Sequence, residues 1–151
     1  MPKGATRKSA KTQTLDERLT ETLIALAGVP SASGQEGAVR QWLTERLEAY
    51  GLSPVTDDAG NLIARVPAQP LVRDDEPPLL LNAHMDRVPP GLAHQPILRD
   101  GVLRSDGNTN LGADDSAGIA VILHTLEELR ASNRDHPPLL LLFTVGEEVG
   151  L

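Results

Sequence analysis

Pro78-Leu79-Leu80-Leu81-Asn82-Ala83-His84-Met85-Asp86 begins as a short apolar run behind a proline and ends in two polar residues. The run, 78–83, predicts a strand buried on both faces, the kind found inside an α/β sheet. Ligands of open α/β sheets collect at the carboxyl ends of strands, where His84 and Asp86 stand. Residues two apart in an extended segment point to the same side. A carboxylate at 86 can therefore hold the imidazole of His84 in one tautomer while the other ring nitrogen meets a metal. Taken alone, a His-x-Asp is common, and a polar loop after a strand accounts for it as well.

Two further segments repeat this pattern of a buried element ending in acid. Pro138 to Val145 reads as a second buried strand, and Gly146-Glu147-Glu148 follows it directly. Two carboxylates at a buried strand end repel each other and lose hydration, and a bound cation removes both problems. Neighbouring residues point different ways, so one Glu can bind metal while the other serves as general base toward an attacking water. The plainer account is a solvated turn. Between the two strands, Gly112-Ala113-Asp114-Asp115-Ser116-Ala117-Gly118 opens a helix that runs from Asp114 to about Ala131. Its apolar stripe is Ile119, Ile122, Leu123, Leu126 and Leu129. One Asp there is an ordinary N-cap. Two, among small residues that permit close packing, exceed what capping needs. The pooled set is one His and several carboxylates, suited to Zn, Mn or Co, and to a metal pair roughly 3.5–4 Å apart.

Upstream, Leu15 to Ala27 has helical spacing, with Thr14 and Glu17 as a capping box and Gly28 and Pro30 as its stop. Ser33-Gly34-Gln35-Glu36 is read as opening a second helix, with Val39, Trp42, Leu43 and Leu47 on one face and Gly51 at its end. Val55 to Val66 reads as a hairpin around Asp58-Ala59-Gly60-Asn61, Leu71 to Pro78 as a surface loop, and Ile97 to Leu103 as a small hairpin. The order of elements points to one layered α/β domain over 15–151. Residues 1–14, basic and free of acid, are read as a flexible tail.

The composition excludes much. With no cysteine, neither disulfide nor thiolate ligand exists. Aromatics are 2% of 151 residues, so the core must be aliphatic. Four of the 14 basic residues fall within the first 11 positions, and the other 10 face 21 acidic ones. An acidic body argues against nucleic acid or an anionic membrane surface as partner. No apolar run approaches the roughly 20 residues that span a bilayer.

The three motifs, taken together, resemble those of the peptidase T family of two-zinc tripeptide aminopeptidases. Leu81 to Gly91 is similar to that family's first metal motif. Ser105-Asp106-Gly107 with Leu111 to Asp115 is similar to its second, and Phe143 to Leu151 to its third. The resemblance implies a three-layer αβα zinc-peptidase-like domain with a mixed sheet. It implies that His84 binds one zinc, Asp114 bridges two, and Glu148 binds the other. Glu147 is then the general base and Asp86 orients His84. It implies a cis peptide at Asp114–Asp115, a short peptide substrate, a cytoplasmic setting, and a homodimer for the complete protein. Ser116 departs from the family, which carries Lys there. The family also takes a further acidic ligand and a His from later in the chain, and has a second, smaller domain. The expectation is therefore of a catalytic domain incomplete at its C-terminus, with an unpaired sheet edge and impaired hydrolysis. The alternatives are a related two-zinc N-acyl amino acid deacylase or dipeptidase, or a noncatalytic truncated product. His94, His124 and His136 are expected to be no ligands.

Overall fold

The computed structural model describes residues 13–69, 75–90 and 94–150. Most of the basic tail read at 1–14, and part of the loop read at 71–78, lie outside them. The chain forms helix α1 (Leu15–Ala27), helix α2 (Gly37–Ala49), strands β1 (Val55–Thr56), β2 (Leu62–Val66), β3 (Leu79–His84), β4 (Ile97–Arg99) and β5 (Val102–Arg104). Helix α3 (Ala113–Ser132), strand β6 (Leu139–Thr144) and a 3₁₀ turn (Glu147–Val149) follow. The capping box of α1 is present: Thr14 Oγ1 accepts from the Glu17 amide at 3.2 Å, and Glu17 Oε2 accepts from the Thr14 amide at 2.8 Å.

The main sheet has the order β1-β2-β6-β3. β2 pairs with β6 antiparallel, and β3 pairs with β6 parallel, so the sheet is mixed as expected. Cross-strand partners share a face of the sheet. One face carries Leu62 and Ala64 of β2, Ala83 of β3, and Leu139, Leu141 and Phe143 of β6, all buried. Leu26 of α1, Val39, Leu43 and Leu47 of α2, and Ile119, Leu123 and Leu126 of α3 complete the same core. Among the described residues the helices therefore form one layer on one face. Phe143 is the one aromatic in this otherwise aliphatic centre.

The expectation that β3 is buried on both faces is overturned. β3 is the edge of the sheet, with Leu79 54% and Leu80 52% exposed. An apolar run marks a strand but not its place in the sheet, which long-range pairing sets. β6 lies inside the sheet between β2 and β3 and alternates between buried and half-buried side chains. The expected start of α2 is also displaced: the helix begins at Gly37, and Ser33 to Glu36 stay outside it.

Candidate metal centre

β3 and β6 run parallel and in register, His84 opposite Thr144, so their carboxyl ends lie side by side. The amide of Met85 donates to Thr144 O at 2.8 Å and continues the ladder one residue further. His84-Met85-Asp86 and Gly146-Glu147-Glu148 are thus brought together by strand pairing. The entry of α3 supplies the third motif. Asp114 and Asp115 are joined by a cis peptide and are not helical, with φ/ψ of −88°/111° and −110°/33°.

The two aspartates divide their work. Asp115 Oδ1 accepts from the Gly118 amide at 3.0 Å and so caps the regular part of the helix. A Cβ on Gly118 would stand 2.3 Å from that oxygen, so this close approach requires glycine. Asp114 turns away from the helix, and its Oδ1 lies 3.0 Å from His84 Nε2. Single donor atoms of His84, Asp114 and Glu148 all lie within 4.8 Å of one another, and Glu147 Oε2 is 4.0 Å from His84 Nε2. Imidazole and carboxylate oxygen both bind zinc at about 2.0–2.2 Å, so one imidazole and two carboxylates at this spacing fit a zinc ion.

Asp86 is 0% exposed and organises the group. Its Oδ1 accepts from the Glu147 amide at 3.0 Å, and its Oδ2 accepts from the Glu148 amide at 3.1 Å and from Ser33 Oγ at 2.7 Å. His84 Nδ1 lies 2.9 Å from the Asp86 carbonyl and 3.3 Å from its Oδ1, which leaves Nε2 to face Asp114. Burial disfavours charge on Asp86, but the donors from Ser33, Glu148 and Glu147 outweigh it and hold its pKa below the ordinary carboxylate range. For His84, burial works against protonation. The hydrogen bond to Asp114, with the Asp86 carbonyl and the charges of Asp86 and Asp115, prevails and raises its pKa.

The site has supports that the sequence patterns concealed. Ser33 and Glu36 have the S-x-x-E spacing of a capping box, yet neither side chain caps α2, although Glu36 stands at its N-cap. Ser33 bonds Asp86, and buried Glu36 accepts from the amides of Gly34 at 2.8 Å and Gly146 at 3.2 Å. Arg87 is buried, and its guanidinium donates to the carbonyls of Ala27 (3.0 Å) and Val29. It ties the metal-motif loop to the end of α1, and burial lowers its pKa. His94, buried over Gly112, has Nδ1 2.9 Å from Asn110 O. Its pKa is lowered by burial and by Arg87. It reaches the backbone before Asp114 but lies outside the donor cluster, as do His124 and His136. A cavity of about 390 Å³, lined by Val88, Leu111, Asp114 and Glu148 among others, opens beside the donors. Another, of about 320 Å³, lies between α1 and α3, with His124, Thr125, Glu128, Ser132 and Arg134 as its polar lining, and it holds none of the three motifs.

Residues 61–151 match the model of peptidase family M28. The chain belongs to that family. Three proteins sharpen the comparison. Peptidase T of Salmonella arizonae is 30% identical over 165 residues, covering 87% of this chain and 40% of that protein. A tripeptidase from Staphylococcus aureus is 34% identical with a TM-score of 0.82, covering 89% of this chain and 38% of the other. The aminopeptidase PepT of Bacillus cereus is 34% identical with a TM-score of 0.83 at the same coverage. The M28 chain therefore spans about 38–40% of the length of these relatives, and its resemblance to peptidase T holds. Among its described residues, no helix is long and apolar enough to cross a membrane.

Proposed function

We propose that the protein hydrolyses the peptide bond next to the free amino terminus of short peptides, tripeptides foremost. The observation that carries this reading is the convergence of three separate sequence motifs on one group of donors, His84, Asp114 and Glu148. The likeness to a tripeptidase and to an aminopeptidase supports the substrate class. Activity is proposed for the whole protein, since the relatives extend well beyond the matched part.

In this reading His84, Asp114 and Glu148 would hold the zinc, with Asp114 shared between two ions if a pair is bound. Manganese or cobalt suits the same donors. Bound metal supplies Lewis-acid polarisation of the scissile carbonyl and lowers the pKa of water. The chain's own residues do the rest. Glu147 is 61% exposed at its side chain and stands 4.0 Å from the His84 ring, beside the donors but outside the trio. That position supports a role as general base, taking a proton from the attacking water and returning it to the leaving amine. Asp86 keeps Nε2 of His84 turned toward Asp114, where a metal would sit, and fixes both amides of the Glu147–Glu148 pair.

Glu147→Gln in the complete protein tests the mechanism. Loss of a general base lowers kcat by about 10²–10⁴-fold while zinc content stays at the parent level. Parent-rate cleavage of an unblocked tripeptide by that variant sinks the assignment.

A further inference from the structure

Past Thr144 the chain leaves the β-ladder, and four successive backbone amides need acceptors elsewhere. Each finds a side-chain oxygen. The Val145 amide donates to Asn61 Oδ1 at 3.1 Å and the Gly146 amide to Glu36 Oε1 at 3.2 Å. The amides of Glu147 and Glu148 donate to Asp86 Oδ1 and Oδ2 at 3.0 and 3.1 Å. Three segments far apart in the chain thus hold one stretch of four residues. Most backbone amides in folded proteins bond backbone carbonyls, so four consecutive exceptions mark a place where direction matters.

Gly146 is the swivel of this stretch. It adopts φ 67° and ψ 18°, a left-handed conformation open to glycine at little cost. Nothing in a glycine restrains that angle, yet it sets the directions in which the next two side chains leave the strand. Restraint must come from outside, and Glu36 provides it. Its side chain is 5% exposed in total and its Oε1 also accepts from the Gly34 amide at 2.8 Å, so the carboxylate is itself fixed. Asn61 is fixed in turn by Asp57, whose Oδ2 accepts from Asn61 Nδ2 at 2.9 Å.

We infer that Glu36 is a positioning residue of the centre, acting through the Gly146 amide to aim Glu147 and Glu148, with Asn61 steadying the residue before the swivel. This rests on the roles given above to Glu147 and Glu148. Functional donors need to be held within about 0.5 Å and 10–20° of their working geometry. Loss of an outer support of a metal site typically weakens binding 10–100-fold.

The test is a zinc titration of the 151-residue chain, paired with amide hydrogen exchange in the metal-free protein. Glu36→Ala weakens zinc affinity by about 10–100-fold and speeds exchange at Gly146, Glu147 and Glu148. Glu36→Gln keeps an oxygen at the same place and restores both quantities to near parent values. The amide of Leu141, in the central strand, stays protected throughout and certifies folding. A folded Glu36→Ala with parent zinc affinity and parent exchange overturns the inference. If Glu36→Ala does not fold, Asn61→Ala decides: a several-fold loss of zinc affinity with Leu141 protected supports it, and no change overturns it. A parent that binds no zinc defeats the metal reading alone, because the exchange arm still tests Glu36 without metal.

Discussion

His84 and His124 each set one ring nitrogen against a carboxylate and the other against a neutral oxygen, a backbone carbonyl for His84 and a hydroxyl for His124. His84 has the Asp86 backbone carbonyl at 2.9 Å on Nδ1 and the Asp114 carboxylate at 3.0 Å on Nε2, while His124 has Glu127 at 2.7 Å on Nδ1 and Thr22 Oγ1 at 2.8 Å on Nε2. Their surroundings then diverge. Around His124, Arg18 pairs with Glu127 at 2.9 Å and with Glu128 at 2.5 Å, and Tyr50 OH donates to Glu127 at 2.5 Å. That network joins α1, α3 and the end of α2, and its charges are closed within the protein. Around His84, Asp86, Asp114 and Glu147 gather with no lysine or arginine paired to them among the described residues. A polar network closed on itself rigidifies a core. One left with surplus negative charge awaits a cation.

Ways to break that comparison follow in order of size. The largest effect is metal stabilisation. Zinc at about 100 times its Kd should stabilise the parent by about 2.7 kcal/mol, read as a shift of the unfolding midpoint. Chelation should remove it, and the midpoint of His84→Ala should respond to zinc far less than that of the parent. An equal response by His84→Ala would place the ion elsewhere. Next, His124→Ala should destabilise the metal-free chain by about 1–3 kcal/mol in denaturant unfolding, because it leaves partners at Thr22 and Glu127 unmet. Its zinc affinity should remain that of the parent, and a lost affinity would show that the two histidines are not separable.

The smallest effect is on pH dependence. Burial alone would raise the pKa of Glu127, but the Tyr50 hydrogen bond, His124 and Arg18 prevail and hold it below the ordinary value. A carboxyl depressed in the folded state contributes stability that is complete above the unfolded carboxylate range. That contribution is lost as pH falls through the folded pKa. Acid titration of the metal-free chain should show this loss, and Glu127→Gln should flatten that part of the curve. An unchanged curve would mean that Glu127 is not held by the network. The same contact has a second consequence, since burial and Glu127 raise the pKa of Tyr50.

How much of this was legible in the sequence differs by range. Leu15–Ala27 was readable to the residue because Thr14 and Glu17 signal its start locally. The three acidic motifs stood out because carboxylates after buried runs are costly without a partner, and their convergence followed from two parallel strands ending together. Ser33 and Glu36 misled for a physical reason. Their spacing satisfies a capping box, and only tertiary contacts with Asp86 and Gly146 turn them to other work. β3 misled likewise: Leu79-Leu80-Leu81 suits a central strand, but pairing with β6 on one side alone leaves it at the edge. Arg87 and His94 carried no local signal, since their partners are backbone carbonyls of distant segments.

The most direct test is a calorimetric zinc titration of the parent chain beside His84→Ala and His124→Ala. The account predicts saturable binding by the parent and by His124→Ala, with His84→Ala weaker by more than the 10–100-fold typical of outer supports. Equal binding by all three chains, or none by the parent, would contradict it.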